Sequence, residues 1–200
     1  GSVLSSTGAL QEAEHLFLQA RDTAQTDAER ALVAFNLFQL RVRERAFEPA
    51  LTALREAIQL DCSRYALHDI EKYPMVRILG VGGMSCVLLC THKLRKQPVV
   101  VKCYWENRQG RAEEVFQEAF AMSDIAGEYV PAPLDYGYVD AVKQTRAFFV
   151  TEYIDGAIDG ESWLARSGKF HLETGLRVAL QVAKGLQIAH TAGILHLDLK

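Results

Sequence analysis

Gly80-Val81-Gly82-Gly83-Met84-Ser85-Cys86-Val87 opens the stretch that decides the fold, and Val99-Val100-Val101-Lys102 closes it. Between them lie an apolar run, Val87-Leu88-Leu89-Cys90-Thr91, and a polar turn, His92-Lys93-Leu94-Arg95-Lys96-Gln97. With Val76-Arg77-Ile78-Leu79 in front, the pattern predicts a glycine loop between antiparallel strands and a third strand ending on a lysine. Glycines let a backbone turn sharply and approach a ligand closely. A lysine on a neighbouring strand sets a positive charge beside that loop. The chemistry implied is phosphate handling. The strand–loop–strand setting excludes the two common phosphate motifs, because the P-loop and the dinucleotide fingerprint both open a helix.

Before this stretch the texture is helical. There is no glycine between Ala9 and Leu79. Apolar residues recur at helical spacing in three stripes: Leu10, Ala13, Phe17 and Ala20; Ala34, Leu37, Phe38 and Val42; and Phe47, Ala50, Leu54, Ala57 and Ile58. Asp27 is the expected N-cap of the second. Ala50, Leu54 and Ala57, closed by Leu60-Asp61, resemble the second helix of a tetratricopeptide (TPR) repeat, with Ala34 and Leu37 on its first helix. Phe38, Arg41 and Cys62 depart from that pattern, so an unrelated amphipathic bundle stays open beside it. An array of such repeats would extend before Gly1 or dock on its neighbour. Residues 1–62 are therefore expected to form a helical segment and 63–72 a connector.

After the lysine, Arg111 to Ile125 reads as one helix, with Glu113 and Glu114 at its start and Glu118 flanking its apolar face. Leu134 to Tyr138 and Ala147-Phe148-Phe149-Val150-Thr151-Glu152-Tyr153 read as strands, the second turning at Ile154-Asp155-Gly156. Glu161 to Ala165 is a short helix. Leu172 to Ala192 is a long one, apolar on nearly every face and so suited to the middle of a domain. The chain ends Gly193-Ile194-Leu195-His196-Leu197-Asp198-Leu199-Lys200.

These pieces together resemble the eukaryotic-like (Hanks-type) Ser/Thr protein kinases of bacteria, over Tyr73 to Lys200. Gly80-x-Gly82-Gly83-Met84-Ser85-x-Val87 resembles the kinase glycine-rich loop, and Val99 to Lys102 the V-A-I-K strand. Glu118 falls at the glutamate of the helix that follows, Val150 to Gly156 at the hinge, and His196-x-Asp198-x-Lys200 at the opening of the catalytic loop. The fold class implied is α+β. It comprises a kinase N-lobe of antiparallel sheet and one helix (about 73–155) and the start of a helical C-lobe (156–200), after the N-terminal helical segment.

The resemblance implies roles. Backbone N–H groups of Gly80, Val81, Gly82, Gly83, Met84 and Ser85 would cover the phosphates of ATP. Lys102 would pair with the α- and β-phosphates, held by Glu118. Val87 and Val100 would enclose the adenine, Glu152 and Ile154 would hydrogen-bond its edge, and Thr151 would stand behind it. Asp198 would take the substrate hydroxyl's proton or orient the hydroxyl, and Lys200 would neutralise the phosphoryl group in transfer. Lys200 points to Ser/Thr rather than tyrosine kinases. Leu197 replaces the usual arginine, so activation by a phosphorylated loop held on that arginine is not expected.

The asparagine and aspartate that hold Mg²⁺ would follow Lys200. The chain is thus expected to be the front of a longer catalytic domain, inactive by itself, with its long apolar helix left exposed. Gly1-Ser2 reads as a tag scar or an internal start. The alternative is a pseudokinase or scaffold whose helices bind protein partners.

Composition is ordinary for a soluble globular protein. The chain has 200 residues, 49% of them hydrophobic and 24% charged, with a net charge of -3. Nucleic-acid or anionic-membrane partners are not expected, nor is any membrane segment in these residues. The partners expected are ATP, a protein substrate and a protein bound by the N-terminal helices. Four cysteines show no metal-ligand spacing. Cys86 and Cys90 share a strand face, and buried free thiols in a reducing, cytoplasmic setting are expected.

Overall fold

A computed structural model of the chain describes residues 9–105, 110–197 and 199. The element order is α1 (Leu10–Thr23), α2 (Asp27–Arg43), α3 (Phe47–Leu60), α4 (Cys62–Tyr65), β1 (Met75–Val81), β2 (Ser85–Thr91), β3 (Pro98–Tyr104), α5 (Ala112–Val115), α6 (Gln117–Ile125), β4 (Pro133–Asp140), β5 (Thr145–Glu152), α7 (Gly160–Ser167) and α8 (Leu172–Thr191). The strands form one sheet in the order β1-β2-β3-β5-β4. This is the α+β architecture of a kinase N-lobe with helices before and after it.

Two compact units make up the chain. The first holds α1–α4, β1–β3 and the hairpin end of β4 and β5, residues 137–148. Its helices pack through the stripes read from the sequence. Ala34, Ala50, Leu54 and Ala57 are fully buried and Leu37 nearly so. Small side chains at these positions let α2 and α3 approach closely. Arg41 ties the three long helices together, its Nε and Nη2 donating to Glu14 Oε1 of α1 at 3.2 Å and its Nη1 to Pro49 O of α3 at 3.2 Å.

The start of α2 differs from expectation. Thr26, not Asp27, is the N-cap, and Asp27 is the first helical residue. Thr26 has the extended backbone an N-cap needs, and its Oγ1 accepts from the Glu29 N–H at 3.2 Å. Glu29 Oε2 in turn accepts from the N–H groups of Thr26 (3.0 Å) and Gln25 (2.8 Å). A glutamate three residues after the cap closes this reciprocal box, which Asp27 could not have formed at its own position. Those backbone donors hold the Glu29 carboxyl below its usual pKa.

The helices and the sheet are joined by particular contacts. β1 carries two register irregularities, at Val76 and Leu79, where two residues face one on β2. Arg55 Nη2 of α3 donates to the carbonyls beside the first of them, Met75 O at 2.7 Å and Val76 O at 3.5 Å. Arg146 of β5 donates to Ala66 O (3.1 Å) and Ser63 O (2.7 Å). His68, 1% exposed, lies under the sheet face that carries the cysteines. Its Nε2 donates to Tyr73 O at 2.8 Å, while Cys103 Sγ lies 3.7 Å from its Nδ1 and Cys90 Sγ 3.6 Å from its Nε2.

Cys86, Cys90 and Cys103 are buried free thiols, as expected, but Cys62 is exposed. It opens the short α4 at the surface, so no apolar face draws it in. Burial pushes the Cys86 and Cys90 thiols up to about 12, so both are protonated at neutral pH.

The second unit holds residues 109–136 and 149–200. The single helix expected from Arg111 to Ile125 is two, α5 and α6, parted at Phe116. Phe116 leaves helical geometry with φ -103° and ψ 18°, and is buried against Tyr136 with ring centroids 4.9 Å apart. The break is local. Phe116 N–H still donates to Ala112 O (2.9 Å), and Phe120 N–H to Phe116 O (3.0 Å).

Asp159 is the N-cap of α7, its Oδ1 accepting from the Ser162 N–H at 2.7 Å. On α8, Gly185 allows a close approach to Tyr129, since a Cβ there would lie 3.3 Å from the Tyr129 Cβ. Only Ala189 of α8 is buried, and Leu172, Leu176, Val178, Leu180, Val182 and Ile188 are exposed. The helix is therefore as apolar as its sequence implied, and exposed rather than enclosed by a core.

Candidate functional site

Alternation along β2 and β3 sorts their side chains onto two faces. Cys86, Leu88 and Cys90 pair across the strands with Cys103, Val101 and Val99, all buried on the face toward His68. Val87 and Leu89 pair with Lys102 and Val100, all half-buried on the other face. On β1, Gly80 stands opposite Val87. Gly80, Val87 and Lys102 are thus abreast across three strands, with Gly80 and Lys102 about 10 Å apart at the Cα. The lysine, Val87 and the first loop glycine share one row, and Val100, paired with Leu89, lies on the same face two residues along β3.

The loop itself is a tight hairpin. Gly82 N–H donates to Ser85 O at 2.9 Å, which closes the turn through Gly83 and Met84. Met84 is exposed and Ser85 is buried. The loop glycines are not there to reach left-handed backbone, because Gly80, Gly82 and Gly83 are absent from the positive-φ positions. Nor does the fold crowd them: a Cβ added at any of the three meets no atom within 4 Å. The sharp turn expected to need glycine is made without its conformational freedom. What the three glycines provide is a backbone bare of side chains, which Gly80 begins in the row of Lys102.

Trp105, the residue after β3, was not singled out by any sequence pattern. Its indole Nε1 donates to Gly82 O at 2.9 Å, and its backbone N–H to Met84 O at 3.1 Å. Lys102 Nζ lies 5.8 Å from the centre of the Tyr104 ring.

In the second unit, Glu118 lies in the first turn of α6 and is half-buried, beside the buried Ala119. Lys102 belongs to the first unit and Glu118 to the second. Thr151 is 7% exposed near the end of β5, its Oγ1 donating to Glu152 O at 3.2 Å. Glu152 is bound twice to Ala132: its N–H donates to Ala132 O (3.0 Å), and its Oε1 accepts from the Ala132 N–H (3.0 Å). Its backbone can therefore offer a ligand a carbonyl lone pair and not an N–H. Ile154 is exposed, and its carbonyl accepts from the Ala157 N–H at 3.2 Å. Asp198 and Lys200 lie outside the described residues.

Among the described residues, no group of three or more His, Cys, Asp or Glu side chains could hold a metal ion. None of their helices is long and apolar enough to cross a membrane.

A five-stranded sheet in the order β1-β2-β3-β5-β4, with a glycine hairpin between β1 and β2, a lysine on β3 and a helix carrying a half-buried glutamate between β3 and β4 in the chain, is the architecture of a kinase N-lobe. The chain belongs to the protein kinase domain family, whose model matches residues 73–200. It is 34% identical over 132 residues to the Serine/threonine-protein kinases drp72 of Corynebacterium efficiens, covering 64% of this chain and 25% of that protein. To PksC of Streptomyces coelicolor it is 26% identical over 137 residues (64% and 24%). To PknH of Mycobacterium tuberculosis it is 30% identical over 133 residues (64% and 20%). All three carry the name of serine/threonine-protein kinases, and the chain spans about a quarter of their length or less.

Proposed function

We propose that the protein transfers the γ-phosphate of ATP to a serine or threonine hydroxyl of a protein substrate. The observation that carries the reading is the row Gly80–Val87–Lys102, with three glycines whose missing side chains answer no need of the fold itself. A bare backbone beside a fixed cation suits a polyphosphate.

ATP fits the residues present. The N–H groups of the loop, Gly80 to Ser85, cover its phosphates, and Lys102 offsets the charge on the α- and β-phosphates. Val87 and Val100, on the same sheet face, supply an apolar surface for the adenine. The Glu152 carbonyl and the Ile154 backbone bind the adenine edge, with the small Thr151 behind. Glu118 holds Lys102 in place. The substrate oxygen attacks the γ-phosphorus as the bond to the β–γ bridging oxygen breaks, and ADP leaves. Asp198 takes the hydroxyl proton, and Lys200 offsets the negative charge of the phosphoryl group in flight. Mg²⁺, when bound, would offset negative charge on the phosphates.

The N-terminal helices form a TPR-like segment that binds a protein partner, in a cytoplasmic signalling protein. Support comes from the buried small residues where α2 and α3 meet. Phe38, where such a repeat wants a small residue, is buried against Trp105 instead. The segment is proposed over 1–62, with the connector at 63–72 and the kinase domain from Tyr73.

The test is transfer of labelled γ-phosphate from ATP to an acceptor protein by the intact protein and by its Lys102→Met variant. Transfer by the first and not the second is expected. Equal transfer by both would show that the lysine has no such role.

A further inference from the structure

We infer that Trp105 is a positioning residue for the phosphates of ATP, fastening the glycine hairpin to the N-terminal helices through Phe38. The inference rests on the proposed nucleotide site and adds to it a residue and a direction of control.

Trp105 holds both carbonyls that flank the turn, Gly82 O through its indole N–H (2.9 Å) and Met84 O through its backbone N–H (3.1 Å). A trans peptide is planar, so its N–H points opposite to its carbonyl. Anchoring Gly82 O and Met84 O toward Trp105 therefore turns the N–H groups of Gly83 and Ser85 away from it. Two of the loop's donors are thus set in direction by one side chain, in a segment whose glycines leave the backbone free to rotate.

Trp105 is itself held from the far side. Its ring lies 6.0 Å from that of Phe38, a fully buried residue of α2. Phe38 stands 5.5 Å from Phe35, and Phe35 stands 4.9 Å from Tyr65 of α4. A file of aromatic rings thus runs from α4 through α2 to the hairpin, all within the first unit. Rigid rings in contact transmit displacement, because packed interiors do not deform smoothly. A shift of α2 is therefore felt at Gly82.

The decisive variant is Trp105→Phe, which keeps an aromatic ring toward Phe38 and removes the indole N–H with the five-membered ring that carries it. In the intact protein, ATP and adenosine affinities are measured by titration, and amide exchange is measured at residues 82–85 without nucleotide. Trp105→Phe is expected to weaken ATP about three- to tenfold, the scale of one hydrogen bond, to leave adenosine within about twofold, and to speed exchange at residues 82–85. Equal loss for ATP and adenosine, or unchanged ATP affinity in a wild type that binds ATP, would overturn the role. If the wild type binds no ATP, the nucleotide reading fails, and the exchange measurement still decides whether Trp105 holds the hairpin. Phe38→Leu serves as a second variant should Trp105→Phe not fold. It keeps apolar volume in the core and should show the same pattern more weakly, and unchanged exchange in it would overturn the link to α2.

Discussion

Val87 of β2 stands directly opposite Lys102 of β3, with Gly80 of β1 on its other side. One row of the sheet therefore carries the apolar floor, the cation and the bare backbone of the proposed phosphate site. Lys102→Met is expected to cut phosphotransfer by at least about a hundredfold, as loss of a charge-stabilising group in a preorganised site does. The half-buried stem of Lys102 resembles methionine in shape, so the melting temperature should move little. Paired rate and melting measurements check both halves of the statement.

The loop glycines separate function from folding. At Gly83 an alanine meets no neighbour and needs no left-handed backbone. Gly83→Ala should leave stability unchanged or raise it by about 0.4–1 kcal/mol through the unfolded chain, while weakening ATP binding. Gly168, at the C-terminus of α7 with φ 72°, is the contrast. With ψ -158° it lies in backbone territory that is essentially glycine's own, so Gly168→Ala should cost about 1–3 kcal/mol and leave ATP affinity alone. Denaturant melts and nucleotide titration of the two variants distinguish the cases.

His68 predicts a pH dependence. Burial lowers its pKa below the ordinary histidine value, against the opposing effects of the Tyr73 carbonyl and Asp69. The folded protein thus keeps His68 neutral where the unfolded chain protonates it. Below about pH 6.5 the unfolded state binds the extra proton, so stability falls as pH drops and is fully present above that value. The slope from this residue is at most about 1.4 kcal/mol per pH unit. Urea melts from pH 7.5 down to 5.5 should show the loss, and His68→Asn should flatten it over that range.

The cap of α2 is testable by itself. Thr26→Ala removes the side-chain acceptor for the Glu29 N–H and should cost about 1 kcal/mol. Asp27→Ala should cost less, because Asp27 does not cap. The Glu29 carboxyl titrates low, so its share of the box is present above its ordinary pKa and fades as pH falls through the folded value. A Thr26→Ala penalty that equals that of Asp27→Ala at neutral pH would contradict the capping box.

Much of this was legible in the chain because it is local. Helical stripes, strand alternation, the glycine hairpin and the lysine two residues after Val100 all follow from side-chain periods of 3.6 and 2.0. The same rules placed Cys86 and Cys90 on one face and the long apolar pattern of α8 on one helix. They misjudged the cap of α2, where Thr26 and Glu29 satisfy each other's backbone donors and Asp27 only looks like a cap. They also read through Phe116, whose helix yields to burial against Tyr136, a partner distant in sequence.

By itself, then, the sequence determined the kinase family, the order of the strands along the chain and the residues that could meet a phosphate. Only the tertiary structure decided what stands behind them. His68 beneath Cys103, Arg55 on the carbonyls of β1, and Phe38 behind Trp105 on Gly82 O are pairings between segments far apart in the chain. No period records such pairings, because they are chosen by which buried polar groups and rings find partners once the helices and sheet have met.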